Sequence, residues 1–253
     1  MQISNQTFVV TGAARGLGQA IASELLNRGA KVAFVDLDVE ATKASRLCAD
    51  PERQSSQAYA TDISNETEVI RLFSSVEADL GPISGIVNNA GILRDGLLVK
   101  AKDGEIVSTM TLEQWQSVID VNLTGVFLCG REAAAQMIRN KNQGVIVNIS
   151  SISRAGNAGQ SNYAAAKAGV SALTTTWAKE LARYGIRVAD IAPGIFATDM
   201  VKQMPEAMRE RLENQIPLRR SGELSEIADS VCYLIGNDYF TGRTLEVDGG
   251  LRM

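Results

Sequence analysis

The sequence predicts an α/β fold: a single domain built on a doubly wound parallel sheet flanked by helices. Three observations carry that prediction. Short β-branched apolar runs alternate with longer stretches of helical period along the chain, the pattern of repeated strand, helix, strand units. A glycine-rich turn directly follows the first apolar run and opens the first helical stretch. Apolar residues make up 45% of the 253 residues and charged residues 21%, which supplies a sizeable core without the bias of a disordered or fibrous chain.

Thr7 to Val10 is the first predicted strand, because aromatic and β-branched side chains suit a pleated, buried surface. Ala13 to Arg28 reads as a helix stopped by Gly29, since glycine takes the left-handed turn that ends helices. Lys31 to Val35 is the second strand, followed by a helix over 39–49, a strand from Gln57 to Ala60, a helix over 66–79 and a strand from Gly85 to Asn88. Residues 97–110 break the alternation. There Asp103-Gly104 sits between two partly alternating segments, which reads as the turn of a hairpin and makes this stretch an inserted arm. A long helix over 112–139 comes next, then a strand from Val145 to Ile149, a helix over 162–183, a strand from Arg187 to Ile191, a helix over 223–236 and a last strand from Thr244 to Val247. No internal repeat, low-complexity tract or Pro/Gly-rich linker divides the chain, so residues 1–253 are expected to form one domain.

Several function classes lose support at this level. The net charge is -4 with no basic stripe, which argues against nucleic acid as a partner. Cys48, Cys129 and Cys232 are far apart and share no CxxC spacing, so neither a disulfide framework nor a thiolate metal site is expected, and a reducing, cytoplasmic setting fits. No signal-like N-terminus or membrane-length apolar run is seen, so no membrane partner is expected. The chain contains no histidine, which removes every His-based triad, proton shuttle and zinc-ligand set and leaves the metal expectation at none.

The turn Thr11-Gly12-Ala13-Ala14-Arg15-Gly16-Leu17-Gly18 lets the backbone bend tightly and approach a pyrophosphate, whose charge is met by free amides at a helix N-terminus. The second strand runs out into Val35-Asp36-Leu37-Asp38, where the Asp36 carboxylate can accept the ribose hydroxyls of an adenosine but repels a 2'-phosphate. Asp36 therefore favours NAD(H). Arg15, a guanidinium within the glycine turn, leaves NADP(H) open.

Tyr163-Ala164-Ala165-Ala166-Lys167 places a phenol and an ammonium four residues apart on one helical face. A phenol of pKa about 10 needs a shift of about three units, worth roughly 4 kcal/mol, to act near neutrality. An ammonium at about 4 Å, at an effective dielectric of about 20, supplies an interaction of that order. Val145-Ile146-Val147-Asn148-Ile149-Ser150 reads as a buried strand ending in a hydroxyl, and ligands sit at the carboxyl ends of such strands. Ser150 is the preferred hydroxyl to bond a substrate oxygen, with Ser151 the competitor if the register slips by one. Asn122 falls inside a helical stretch where asparagine is a poor former, which points to a polar relay, a kink or a satisfied surface amide.

Together these motifs resemble the short-chain dehydrogenase/reductase family, from Thr7 to about Met253. The resemblance rests on Thr11 to Gly18, Asp62-Ile63, Asn88-Asn89-Ala90-Gly91, Asn122, Ser150, Tyr163 to Lys167, Pro193-Gly194 with Thr198, and Val247-Asp248-Gly249-Gly250. It implies a Rossmann-like fold and an NAD(P)-dependent oxidoreductase with Asn122, Ser150, Tyr163 and Lys167 as the catalytic set. It also implies that Gly12, Arg15, Gly16, Leu17 and Gly18 wrap the cofactor phosphates and that Asp62 and Ile63 bracket the adenine. Asn89, Ala90 and Gly91 would line the cofactor, and Pro193, Gly194, Phe196 and Thr198 would meet the nicotinamide end. Lys167 would hold the nicotinamide ribose as well, and Asn122 would order a water relaying protons to it.

Within the family, Ala90 to Asp95, Gly156 to Gln160 and Ala197 to Met200 resemble 3-oxoacyl-acyl-carrier-protein reductases. The arm at 97–110, Pro193 to Phe196 and Gly249 to Met253 resemble short-chain 3-hydroxyacyl-CoA dehydrogenases. Both resemblances imply an acyl thioester carrying a 3-oxo or 3-hydroxy group. Ala189 stands where carrier-protein reductases usually have asparagine, and Tyr184 beside Arg183 where they tend to carry a basic residue, so the reading leans towards acyl-CoA. The resemblance further implies a homotetramer and a substrate lid over 195–216, where Met200, Met204 and Met208 are expected on one helical face. A dehydrogenase of another secondary alcohol (steroid, polyol or sugar) and a non-catalytic nucleotide-binding scaffold are the alternative readings.

Overall fold

A computed structural model describes residues 1–52 and 54–252, apart from the side chain of Met200. Seven parallel strands form one sheet in the order β3-β2-β1-β4-β7-β8-β9. They are β1 (Thr7–Thr11), β2 (Lys31–Asp36), β3 (Ser56–Ala60), β4 (Ile83–Asn88), β7 (Gly144–Ile149), β8 (Ile186–Pro193) and β9 (Thr244–Val247). Their apolar runs are nearly continuous because helices cover both faces of the sheet. On one face Phe8, Val10, Val32, Phe34, Val147 and Ile191 pack against α1 (Gly16–Asn27) and α9 (Leu224–Gly236). The alternate residues Val9, Ala33, Val35, Ile86, Ile146 and Val188 pack on the other face with α3 (Glu66–Leu80) and α5 (Gly125–Arg139). The remaining helices are α2 (Val39–Ala49), α4 (Leu112–Ile119), α6 (Ser161–Leu181), α7 (Asp199–Lys202) and α8 (Glu206–Glu213).

The chain winds outward from β1 through β2 to β3, then returns to place β4 on the other side of β1. A crevice opens where the winding reverses, beyond the carboxyl ends of β1 and β4, and this is where open α/β sheets take ligands.

Three expectations about helices need correction. The first helix starts at Gly16 and not at Ala13: Gly12 (φ 68°) and Gly16 (φ 58°) are left-handed, and the Ala13 amide bonds the Val35 carbonyl at 3.1 Å, so Ala13 to Arg15 belong to the turn. The predicted 112–139 helix is α4 and α5 joined by a π-helical turn, Asp120–Thr124, with Asn122 inside it. The single methionine face at the lid does not form, because Pro205 separates α7 from α8. Met204 lies in that break and Met208 is 54% exposed, while the Met200 side chain lies outside the described residues.

The arm segment contains an antiparallel hairpin, β5 (Val99–Lys102) and β6 (Glu105–Thr109), turning through Asp103 (φ 53°) and Gly104 (φ 85°). Among the described residues, no helix is long and apolar enough to cross a membrane.

Candidate active site

The glycine turn is locked from across the crevice. Asn89, just past β4, donates through Nδ2 to the carbonyls of Thr11 (3.0 Å) and Gly12 (3.2 Å), while Thr11 Oγ1 accepts from the amides of Asn89 and Ala90, both at 3.1 Å. A Cβ on Gly12 would stand 2.8 Å from Ala90 Cα, and one on Gly18 would stand 2.1 Å from the Gly12 carbonyl oxygen. The first turn of α1 has no side-chain cap and no acidic residue, so its amides remain available to an anion. The steric limit gives a direct expectation. Gly18→Ala forces the turn open, lowering stability by about 1–3 kcal/mol and weakening NADH binding at least about tenfold; urea unfolding and fluorescence titration check both, and unchanged affinity would refute the cradle.

A cavity of about 550 Å³ lies against this turn, lined among others by Gly12, Arg15, Leu17, Asp36, Asp62, Ile63, Asn89, Ala90 and Gly91. Asp36 is oriented by two backbone amides, Ala14 N to Oδ2 at 3.1 Å and Leu37 N to Oδ1 at 2.8 Å. Arg15 is exposed. Asp62 Oδ1 accepts from the amide and hydroxyl of Ser64, and the Asp62 amide donates to Glu68 Oε2 at 2.8 Å, so this loop is held from both sides. Free backbone amides, a carboxylate on the cavity wall and glycines that admit no Cβ fit a dinucleotide.

A second cavity, about 680 Å³, shares Leu17, Asn89, Gly91 and Ile92 with the first, so the two form one cleft. Its walls include Ser150, Ser151, Tyr163, Lys167, Pro193, Gly194, Phe196 and Thr198, with Ile195, Val201, Met204, Leu212 and Leu251 making much of the rest apolar. Neither Gly16 nor Gly18 lines either cavity, although a Cβ on Gly16 would face Thr198 Cγ2 at 3.8 Å.

The two candidate hydroxyls, Ser150 and Ser151, stand in different settings. Ser150 extends the β7 ladder by one residue, its amide bonding the Ile191 carbonyl at 2.8 Å, so strand alternation turns its side chain to the face of Asn148. Its Oγ donates to Asp190 Oδ2 (2.9 Å) and lies 3.2 Å from the Ile191 carbonyl, and the residue is 2% exposed. Ser151 stands past the strand, accepts from the Ser153 amide at 3.1 Å, and shares the cavity wall with Tyr163, whose phenol pKa it lowers. The geometry therefore favours Ser151 over Ser150. The signal was present in the sequence, since Asn148 and Ser150 share a strand face.

Lys167 is 3% exposed, with Nζ 2.7 Å from the Ile149 carbonyl and 5.6 Å from the Tyr163 ring centroid. Burial lowers its pKa to about 8, with Asp190 acting in the opposite sense. Burial pushes the Tyr163 phenol up, the Ser151 hydrogen bond lowers it and Asp95 raises it again. The Lys167 ammonium thus lies over the Tyr163 ring and bonds the Ile149 carbonyl, while burial is the largest influence on the phenol.

Asn122 is fully buried, not on the surface. Its Oδ1 accepts from the Ile92 amide (2.8 Å) and its Nδ2 donates to the Ile92 carbonyl (2.9 Å), tying the π-helical turn to the cleft wall.

A family model described as "Enoyl-(Acyl carrier protein) reductase" matches residues 12–252. The chain is 38% identical to the 3-oxoacyl-acyl-carrier-protein reductase FabG of Staphylococcus epidermidis, over 98% of this chain and 100% of the relative. Identity to FabG of Staphylococcus aureus is also 38%, covering 98% of each chain. It is 39% identical to the (3R)-3-hydroxyacyl-CoA dehydrogenase of Mus musculus, over 100% of this chain and 98% of that one.

Proposed function

Given that the chain belongs to the short-chain dehydrogenase/reductase family, an NAD(P)(H)-dependent oxidoreductase family, we propose that it moves a hydride between NAD(H) and the 3-oxo or 3-hydroxy carbon of an acyl thioester. One observation carries the reading: the Tyr163 phenol and Ser151 hydroxyl together line a largely apolar chamber continuous with the dinucleotide cleft. The FabG relatives and the (3R)-3-hydroxyacyl-CoA dehydrogenase support an acyl thioester as the substrate class.

When bound, the nicotinamide supplies the hydride, and its oxidised ring adds positive charge beside the phenol. Ser151 donates a hydrogen bond to the substrate oxygen and fixes its distance from Tyr163. In reduction Tyr163 gives that oxygen its proton; in oxidation the deprotonated phenol takes it back. Lys167 anchors the nicotinamide ribose and contributes positive charge under the phenol ring. Asn122 holds the π-helical turn where a water relays protons towards Lys167. Residues 195–216 close over the acyl chain, with Val201, Met204 and Leu212 facing it, and exclude water from the hydride path. The chain works in the cytoplasm as a homotetramer with the 97–110 hairpin as an inserted arm; Phe127 on α5, 41% exposed, supports burial of that face by another copy.

Steady-state kinetics with acetoacetyl-CoA, run in parallel with NADH and NADPH, tests the proposal. NADH is expected to be preferred in kcat/KM by at least about tenfold, because setting the Asp36 carboxylate against a 2'-phosphate costs several kcal/mol that Arg15 only partly offsets. Asp36→Ala should narrow that ratio. Preference for NADPH sinks the Asp36 reading. Turnover of steroids, polyols or sugars without thioester turnover replaces the substrate class, and failure to oxidise NADH with any carbonyl leaves only a nucleotide-binding scaffold.

A further inference from the structure

Beneath the site lies a fully buried carboxylate that the mechanism above does not use. We propose that Asp190 is a positioning residue for the reaction: its carboxylate holds the Ser150–Ser151 turn and provides the counter-charge for the Lys167 ammonium.

Asp190 sits on β8, opposite Asn148 of β7, and is 0% exposed. Its Oδ1 accepts from the Ser150 amide at 3.1 Å. Its Oδ2 accepts from three hydroxyls: Ser150 (2.9 Å), Ser171 of α6 (2.7 Å) and Thr244 of β9 (2.8 Å). Four donors from three surrounding elements, one amide and three hydroxyls, converge on the carboxylate and hold it in one orientation. Two of those donors belong to Ser150, so the carboxylate pins the backbone immediately before Ser151. An alanine, serine or threonine at position 190 would leave these hydroxyls to other partners, and none would bring a charge.

The electrostatic role follows from what faces Lys167. On its own helix stands Tyr163; from β7 comes the Ile149 carbonyl at 2.7 Å, and the amide of that same peptide unit, Ser150 N, donates to Asp190 Oδ1 at 3.1 Å, so a single peptide group separates the ammonium from the carboxylate, which raises the lysine pKa against burial. Asp95, after β4, acts on Tyr163 instead. Removing the Asp190 charge leaves burial unopposed, so the lysine loses its proton at lower pH. The protonated form is the useful one. The alkaline limb of thioester reduction therefore moves down in pH, while activity on the acid side is retained.

This inference rests on the catalytic reading of Ser151, Tyr163 and Lys167, and the test separates the two. Asp190→Asn keeps the shape and removes the charge. In NMR titrations of selectively labelled lysine, with the Lys167 signal assigned by its loss in Lys167→Arg, the variant is expected to titrate about one pH unit below wild type. The alkaline limb of kcat/KM with acetoacetyl-CoA and NADH should fall by the same amount. An unchanged lysine titration overturns the proposal, as does a folded variant inactive at every pH. If Asp190→Asn does not fold, Asp190→Ser carries the same expectation, and failure of both to fold leaves a purely structural residue and overturns the proposal. A shifted lysine titration in a protein whose wild type reduces no thioester upholds Asp190 and defeats the functional reading alone.

Discussion

Tyr163→Phe is expected to lower kcat for thioester reduction by about 100-fold to 10,000-fold, the span that a positioned general acid contributes. The substitution deletes one oxygen and leaves the ring, so the packing over Lys167, with Nζ 5.6 Å from the centroid, survives. The glycine turn, Asp36 and the loop at Asp62 lie in the other half of the cleft, whose lining does not include Tyr163, and NADH affinity should change little. Loss in kcat with KM nearly constant is the signature of an interaction made in the transition state. Single-turnover reduction together with NADH fluorescence titration measures both quantities. A rate within about fivefold of wild type, far short of a general acid's contribution, would remove the phenol from the chemistry, and a parallel collapse of NADH binding would show that the variant had lost its site as a whole.

What the sequence made legible, and what it did not, follows from the range of the interactions involved. The strands were readable because burial on both faces demands continuous apolar runs, as in Phe8 to Val10 and Val145 to Val147. The phenol and lysine were readable because helical period fixes residues four apart on one face. The start of α1 was misplaced because Ala13 and Ala14 are good helix formers, and only the left-handed glycines at 12 and 16 and the amide bond to Val35 hold them in a turn. The break at Asp120–Thr124 depends on Asn122 pairing with the backbone of Ile92, a contact that periodicity does not encode. The lysine's partner was out of reach for a related reason: spacing sets which face a side chain occupies, but not that its ammonium bonds the Ile149 carbonyl.

Ser151→Ala and Ser150→Ala should part company sharply, although the two residues are neighbours. Ser151→Ala removes the hydroxyl that lines the chamber beside Tyr163, and the loss of one such donor to a reacting oxygen costs about 100-fold to 1,000-fold in kcat. Ser150→Ala removes one of four donors from the buried Asp190 carboxylate, a loss felt by the fold. It should lower unfolding free energy by about 1–3 kcal/mol and leave kcat within about tenfold, since no group touching substrate is lost. Urea unfolding and steady-state kinetics on the same preparations distinguish the effects. The opposite pattern, a stable but inactive Ser150→Ala beside an active Ser151→Ala, would mean that the turn reorganises when substrate arrives and that Ser150 leaves Asp190 to serve the reaction. Such a switch would have to break the bonds from the Ser150 amide and hydroxyl to Asp190 with no replacement donor in view. Two hydrogen bonds to a buried carboxylate resist that movement more strongly than the one bond that the Ser151 hydroxyl accepts from the Ser153 amide, which is why the Ser151 hydroxyl, and not that of Ser150, is the one free to meet a substrate.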